Sequence, residues 1–173
     1  MAALLKELFH PNFLNKVSKK TEMVTHLSRL HKYLAEMNQE NKRPQGFENT
    51  AVQLASPRYL NNDDKEVRLL VICCIVDVLR LFAPYAPYSN TQLSGIFDVL
   101  IVQLRGLSTS GPNTGIGTKI GYIIVSLASV KSCVVLVELA QSGHPEQLDS
   151  LFQVLIKSVK PHHDEQGKGI ASV

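Results

Sequence analysis

Six histidines, three cysteines and one glycine-rich loop are the features of this 173-residue chain that could support chemistry. The loop at 111–119, Gly-Pro-Asn-Thr-Gly-Ile-Gly-Thr-Lys, carries glycines that would let backbone amides approach an anion. Its spacing is wrong for a nucleotide: a Walker A loop needs its second glycine where Ile116 stands, and Lys119 follows Thr118 instead of preceding it. No apolar strand leads into it, so it reads as an inter-helix connection. His26 and His31 would lie about 140° apart around a helix and could not easily share a metal. His10 and His144 stand alone, and His162-His163-Asp164-Glu165 falls in a polar tail without the hydrogen bonds that orient ligands. All six histidines read as surface residues. Cys73 and Cys74 point in different directions on a helix and have no C-x-x-C partner; with Cys133 they read as buried structural thiols. No serine sits in a nucleophile elbow. Asp77, with Arg80 three residues on, reads as a local ion pair on the exposed edge of its helix. The residues thus point to no enzyme, no cofactor and no metal.

The segment Ala83-Pro84-Tyr85-Ala86-Pro87-Tyr88 offers recognition instead of reaction. Two prolines fix a short connection at low entropy, and tyrosines supply the amphipathic surface enriched at interfaces. Ala83, Pro84, Tyr85, Ala86, Pro87 and Tyr88 are therefore the candidate partner-binding residues. The alternative is a stiff helix stop whose tyrosines cover the core.

The elements that must hold this segment are helices. Between 21 and 40, Met23, Val24, Leu27, Leu30, Leu34 and Met37 recur at spacings of three and four, with Thr21 as N-cap. A linker with Pro44 follows, then a short helix over 47–55 that Pro57 ends. Asn61-Asn62-Asp63-Asp64 is a capping turn, and 65–82 is a helix apolar nearly all round, so both its sides must be covered. The prolines stop it, and Ser89, Asn90 and Thr91 offer caps for a helix over 92–107 with Leu93, Ile96, Phe97, Leu100, Ile101 and Leu104 on one stripe. A single buried helix is expected over 118–141, stopped by Gly143, and a last one after Pro145 carries Leu148, Leu151, Phe152, Leu155, Ile156 and Val159.

About six helices in successive antiparallel pairs, near forty residues a pair, predict an all-α chain: an α-solenoid of HEAT-like helix pairs, with a compact helical bundle as the alternative. Residues 1–20 form an N-terminal extension, 21–160 the helical repeats and 161–173 a tail. Hydrophobic content of 45% suffices for a core, and three cysteines do not make a disulfide framework, which predicts a reducing compartment. No apolar run approaches a bilayer span, so no membrane is expected. Net charge is +3, concentrated in residues 1–45, which hold eight Lys/Arg against four Asp/Glu. Without a motif of interleaved aromatics, that excess does not predict direct nucleic-acid binding.

The run from Asp64 through Val67-Arg68-Leu69-Leu70, Cys73-Cys74 and Asp77 to Arg80, continued by the double Ala-Pro motif, resembles the N-terminal region of the Pds cohesion proteins (precocious dissociation of sisters). The likeness extends back to Leu54-Ala55-Ser56 and forward through Ile96-Phe97, Gln103-Leu104-Arg105-Gly106-Leu107 and Val130-Lys131-Ser132. It implies a HEAT-repeat cohesin regulator without enzymatic activity, located in the nucleus on chromatin, that acts in sister-chromatid cohesion and its release. Implied partners are cohesin subunits, a Wapl-type release factor and a sororin-type antagonist, whose short motifs meet the double Ala-Pro surface. Ala83, Pro84, Ala86 and Pro87 match that motif; Tyr85 departs from it, because the family usually has an acidic residue there. Family members are much longer, so the chain is expected to be a fragment, a short isoform or a truncated paralogue. A generic helical-repeat adaptor unrelated to cohesin is the alternative.

Overall fold

Asp64 begins the helix that organises the first half of the chain. Its carboxylate accepts from the backbone amides of Glu66 and Val67, satisfying two of the donors a helix start leaves open. In the computed structural model, which describes residues 6–11, 13–17, 19–40, 42–106, 114–129, 133–143 and 145–158, that helix runs Lys65–Phe82, as its sequence predicts. Residues 6–8 are helical, and the helices that follow are α1 (Lys20–Glu36), α2 (Phe47–Leu54), α3 (Pro57–Leu60), α4 (Lys65–Phe82), α5 (Asn90–Arg105), α6 (Gly115–Ser129), α7 (Cys133–Gln141) and α8 (Glu146–Ser158). There is no strand among the described residues.

Val67, Val71, Ile72, Ile75, Val76 and Val78 are β-branched and cost α4 roughly half a kcal/mol each in helix propensity. All are buried, at most 1% exposed, and burial contributes roughly 1.5 kcal/mol or more for each. Packing therefore overrides propensity, and the neighbours that bury α4 set its conformation.

The chain divides into two compact units, Met1–Pro87 and Tyr88–Val173. In the first, α4 packs on α1, α2 and α3. Helices α1 and α4 run in the same direction: Lys20 pairs with Asp64 at their starts, Cys74 Sγ meets Leu27 O at mid-length, and Arg80 reaches Leu34 O at their ends. Phe47, at the start of α2, stacks on Phe82 at the end of α4, and α3 joins the end of α2 to the start of α4, so α2 runs back against α4. That is the relation expected of stacked helix pairs, in which equivalent helices lie side by side and the return helix is antiparallel. The residues before Thr21, expected as an extension, contribute Leu8, Phe9, Phe13, Leu14 and Val17 to the core. Tyr59 donates to Leu14 O, and Arg58 donates to Asn15 O and Val17 O, which ties this segment to α3.

Several expected details differ. Thr21 does not cap α1; Lys19 occupies that position without a side-chain cap, and the Thr21 carbonyl accepts from Thr25 Oγ1 inside the helix. Pro57 starts α3 as well as ending α2, since its missing N–H is harmless in a first turn. The glycine-rich connection read at 111–119 gives way to helix by Gly115, because Thr114 Oγ1 accepts from Gly117 N and acts as the cap. Of the single helix expected over 118–141, the described stretches α6 and α7 are helical, and residues 130–132 lie outside the described residues.

In the second unit, α5 opens with a capping box: Ser89 Oγ accepts from Gln92 N while Gln92 Oε1 accepts from Ser89 N. Ser89→Ala is expected to destabilise this unit by about 1 kcal/mol, read as a lower urea midpoint at unchanged m-value. Gln147, buried, donates to Ser94 Oγ and Asp98 Oδ1 of α5, turning residues 147, 151, 154 and 155 of α8 inward. Phe152 and Ile156, two of the apolar residues read along this helix, are consequently exposed.

Candidate functional site

The carbonyl end of α4 and the corner that follows form one structure with the connection between α1 and α2. Pro84 offers no N–H and drives Ala83 into extended geometry (φ −49°, ψ 139°), so α4 stops at Phe82. The Ala83–Pro84 peptide bond is cis. Tyr85 N donates to Phe82 O at 3.0 Å. The two preceding carbonyls are served from elsewhere in the chain: Gln39 Nε2 donates to Arg80 O at 2.6 Å, and an Arg43 guanidinium nitrogen to Leu81 O at 3.0 Å. Arg43 also lies over the Phe82 ring, 3.9 Å from its centroid. Phe82 stacks on Phe47 at 5.3 Å, Phe47 meets Phe9 edge-on at 5.4 Å, and Phe9 meets Tyr33 edge-on at 5.7 Å.

Beneath this stack lies a polar cluster. Asp77 is wholly buried, not on the exposed edge that its spacing from Arg80 predicts. The helix is enclosed on every side, so no face of it is an exposed edge at that position. His31 Nδ1 lies 3.0 Å from Asp77 Oδ2, within hydrogen-bond distance. Arg80 contacts Asp77 Oδ1 at 3.3 Å and donates to Leu34 O and Met37 O at 2.8 Å, closing the carbonyl end of α1. His31 is therefore a structural partner, not a surface residue. His26 likewise stacks flat on Phe13, centroids 4.6 Å apart.

On this foundation the six candidate residues divide. Tyr85 is 80% exposed, and Pro84 beside it is exposed. Ala83, Ala86 and Pro87 are half-buried. Tyr88 is buried at 8% exposure, so it covers core and does not present surface. The corner holds no nucleophile or acid–base pair; it offers a proline-fixed backbone and one exposed aromatic side chain.

The other features with chemical potential lie apart from it. Cys73 and Cys74 are buried, and burial pushes the Cys74 thiol far up, with Cys73 and Asp77 adding to the shift, so it is held protonated and inert. A cleft of about 520 Å³ beside Lys20, Arg58 and Asp64 has its cations engaged: Lys20 holds Asp64 at 2.6 Å, which keeps that carboxyl below its ordinary range, and Arg58 is bound to backbone carbonyls. No described group of three His, Cys, Asp or Glu residues could hold a metal, and no described helix is long and apolar enough to cross a membrane. The 162–165 cluster and residues 107–113 lie outside the described residues, as does the Cys133 side chain.

The residues that sequence reasoning missed are Gln39, Arg43 and His31. Their partners are 38 to 46 positions away, and no local pattern marks them.

Comparison with known proteins agrees with the fold. The family model described as sister chromatid cohesion protein PDS5 matches residues 21–171. Sister chromatid cohesion protein PDS5 homolog B of Homo sapiens is 34% identical over 155 residues, covering 88% of this chain and 10% of that protein. Homolog B-A of Xenopus laevis gives the same identity and coverage. Homolog A of Homo sapiens is 34% identical over 148 residues, 84% of this chain and 11% of its own length. The chain thus spans about one tenth of these relatives. A solved structure described as the Pds5-Scc1 complex aligns with TM-score 0.76 at 29% identity, over 89% of this chain and 23% of that one. This match assigns the helix pairs to a HEAT-like α-solenoid in preference to a compact bundle.

Proposed function

Since the chain belongs to the sister chromatid cohesion protein PDS5 family, we propose that it is a non-catalytic, protein-binding regulator of cohesin in sister-chromatid cohesion and its release, acting on chromatin in the nucleus. The observation that carries this reading is the corner at 83–87, where Tyr85 stands 80% exposed on a backbone fixed by two prolines and anchored to a buried helix. A rigid site loses little entropy on binding, so a short peptide can be held with few contacts. Cohesin subunits are the proposed partners of the family surface, as the name of the Pds5-Scc1 complex suggests for its own protein. Short motifs of a Wapl-type release factor and a sororin-type antagonist are the proposed ligands of Ala83, Pro84, Tyr85, Ala86 and Pro87, and Tyr88, being buried, is left out of that set.

Tyr85 tunes this site. A carboxylate at that position would pair with a basic residue of the peptide, whereas the tyrosine offers stacking and a neutral hydrogen bond. Titration of this chain with release-factor and sororin peptides should show saturable binding, and Tyr85→Asp should tighten it about tenfold for peptides with a central arginine. If neither wild type nor Tyr85→Asp binds any of these peptides, the docking role fails. Failure to recover any cohesin subunit from nuclear extract would favour a generic helical-repeat adaptor.

A further inference from the structure

We propose that Gln39 and Arg43, in the connection between α1 and α2, are positioning residues of the corner: they cap the carbonyl end of α4 from outside and fix the backbone on which Tyr85 stands. The capping stands on geometry alone; its consequence for binding rests on the docking function proposed above.

A helix end leaves its last carbonyls without internal partners, and the usual remedy is for the following residues to curl back in left-handed geometry and donate their own amides. The corner cannot do this. Ala83 is extended, Pro84 has no amide proton, and the local donor that reaches back is Tyr85 N, to Phe82 O. Arg80 O and Leu81 O are met by Gln39 Nε2 and by the Arg43 guanidinium. Arg43 is doubly fitted, since the group that bonds Leu81 O also covers the Phe82 ring and completes its stack on Phe47. The arrangement is reciprocal, because Arg80 of α4 caps Leu34 O and Met37 O at the end of α1. The connection before α2 thus becomes part of the docking site without touching the ligand. Loss of Arg43 returns Leu81 O to water and uncovers Phe82, and a partner must then order a corner that was previously held.

The experiment measures amide exchange at Tyr85 by NMR in wild type, Arg43→Ala, Arg43→Lys and Gln39→Ala, together with affinity for a release-factor peptide. Arg43→Ala should speed Tyr85 exchange and weaken the peptide, each about tenfold, the factor equivalent to one charge-assisted hydrogen bond. Amides of Leu70 to Cys74 in mid-α4 should be unaffected. Arg43→Lys should recover part of both effects, since an ammonium can reach the carbonyl or the ring but lacks the planar fork. Unchanged Tyr85 exchange in Arg43→Ala overturns the proposal, as does acceleration spread evenly along α4, which would mark a general loss of stability. If Arg43→Ala does not fold, Gln39→Ala carries the same exchange test. If wild type binds no peptide, the docking function falls, and the exchange data still decide the capping role.

Discussion

Asp77→Ala is expected to destabilise the chain by about 3 kcal/mol, measured by urea unfolding. The carboxylate is wholly buried in α4, where it lies within hydrogen-bond distance of His31 Nδ1 and accepts from Arg80. Removing one member of a buried charged cluster costs roughly 3–5 kcal/mol, because the remaining charge is left uncompensated. The lower figure applies here: the His31 and Arg80 side chains are 20% and 21% exposed, and Arg80 keeps its bonds to Leu34 O and Met37 O. Asp77→Asn retains an acceptor and similar shape, so its cost should be smaller, about 1–2 kcal/mol. A loss under about 1 kcal/mol for Asp77→Ala would show that the cluster does not hold α1 against α4.

This cluster also marks the boundary of what the sequence discloses. The bounds of α4 are legible because local chemistry decides both ends: Asp64 caps one, and Pro84 forbids continuation at the other. Its enclosure is legible too, from an apolar pattern without a polar face. Asp77 is the residue that this pattern ought to place inside, yet its spacing from Arg80 fits a surface ion pair equally well. What decides is His31, 46 residues earlier, on a helix whose register against α4 no local signal encodes. Gln39 and Arg43 are hidden for the same reason: in sequence they are polar residues of a linker, and their acceptors are backbone carbonyls that any sequence possesses.

The docking corner is half legible. Its prolines announce a rigid turn, and the family likeness gives that turn a role. Which tyrosine faces outward is not legible, since an irregular segment has no periodicity from which to assign sides; Tyr85 is exposed and Tyr88 buried although both follow an Ala-Pro pair.

Gly46→Ala should be the most damaging single-methyl addition in the first unit, costing about 3 kcal/mol or more. Gly46 caps α2 with φ of +87°, a conformation that costs a residue with a Cβ roughly 1–2 kcal/mol. Space compounds the strain: a Cβ there would stand 2.3 Å from the carbonyl oxygen of Phe9, a backbone atom that cannot move without dragging the Phe9 ring off Phe47 and Tyr33. Gly143 separates the two effects. It has φ of +101° with nothing within 4 Å of the methyl group that alanine would add, so Gly143→Ala carries the conformational cost alone, about 1 kcal/mol. Urea unfolding of the two variants should therefore differ by about 2 kcal/mol. Because Phe47 stacks directly on Phe82, Gly46→Ala should also perturb the Tyr85 amide resonance, and Gly143→Ala should leave it in place. Equal losses in the two variants would show that Phe9 yields freely, and that the aromatic stack does not brace the corner.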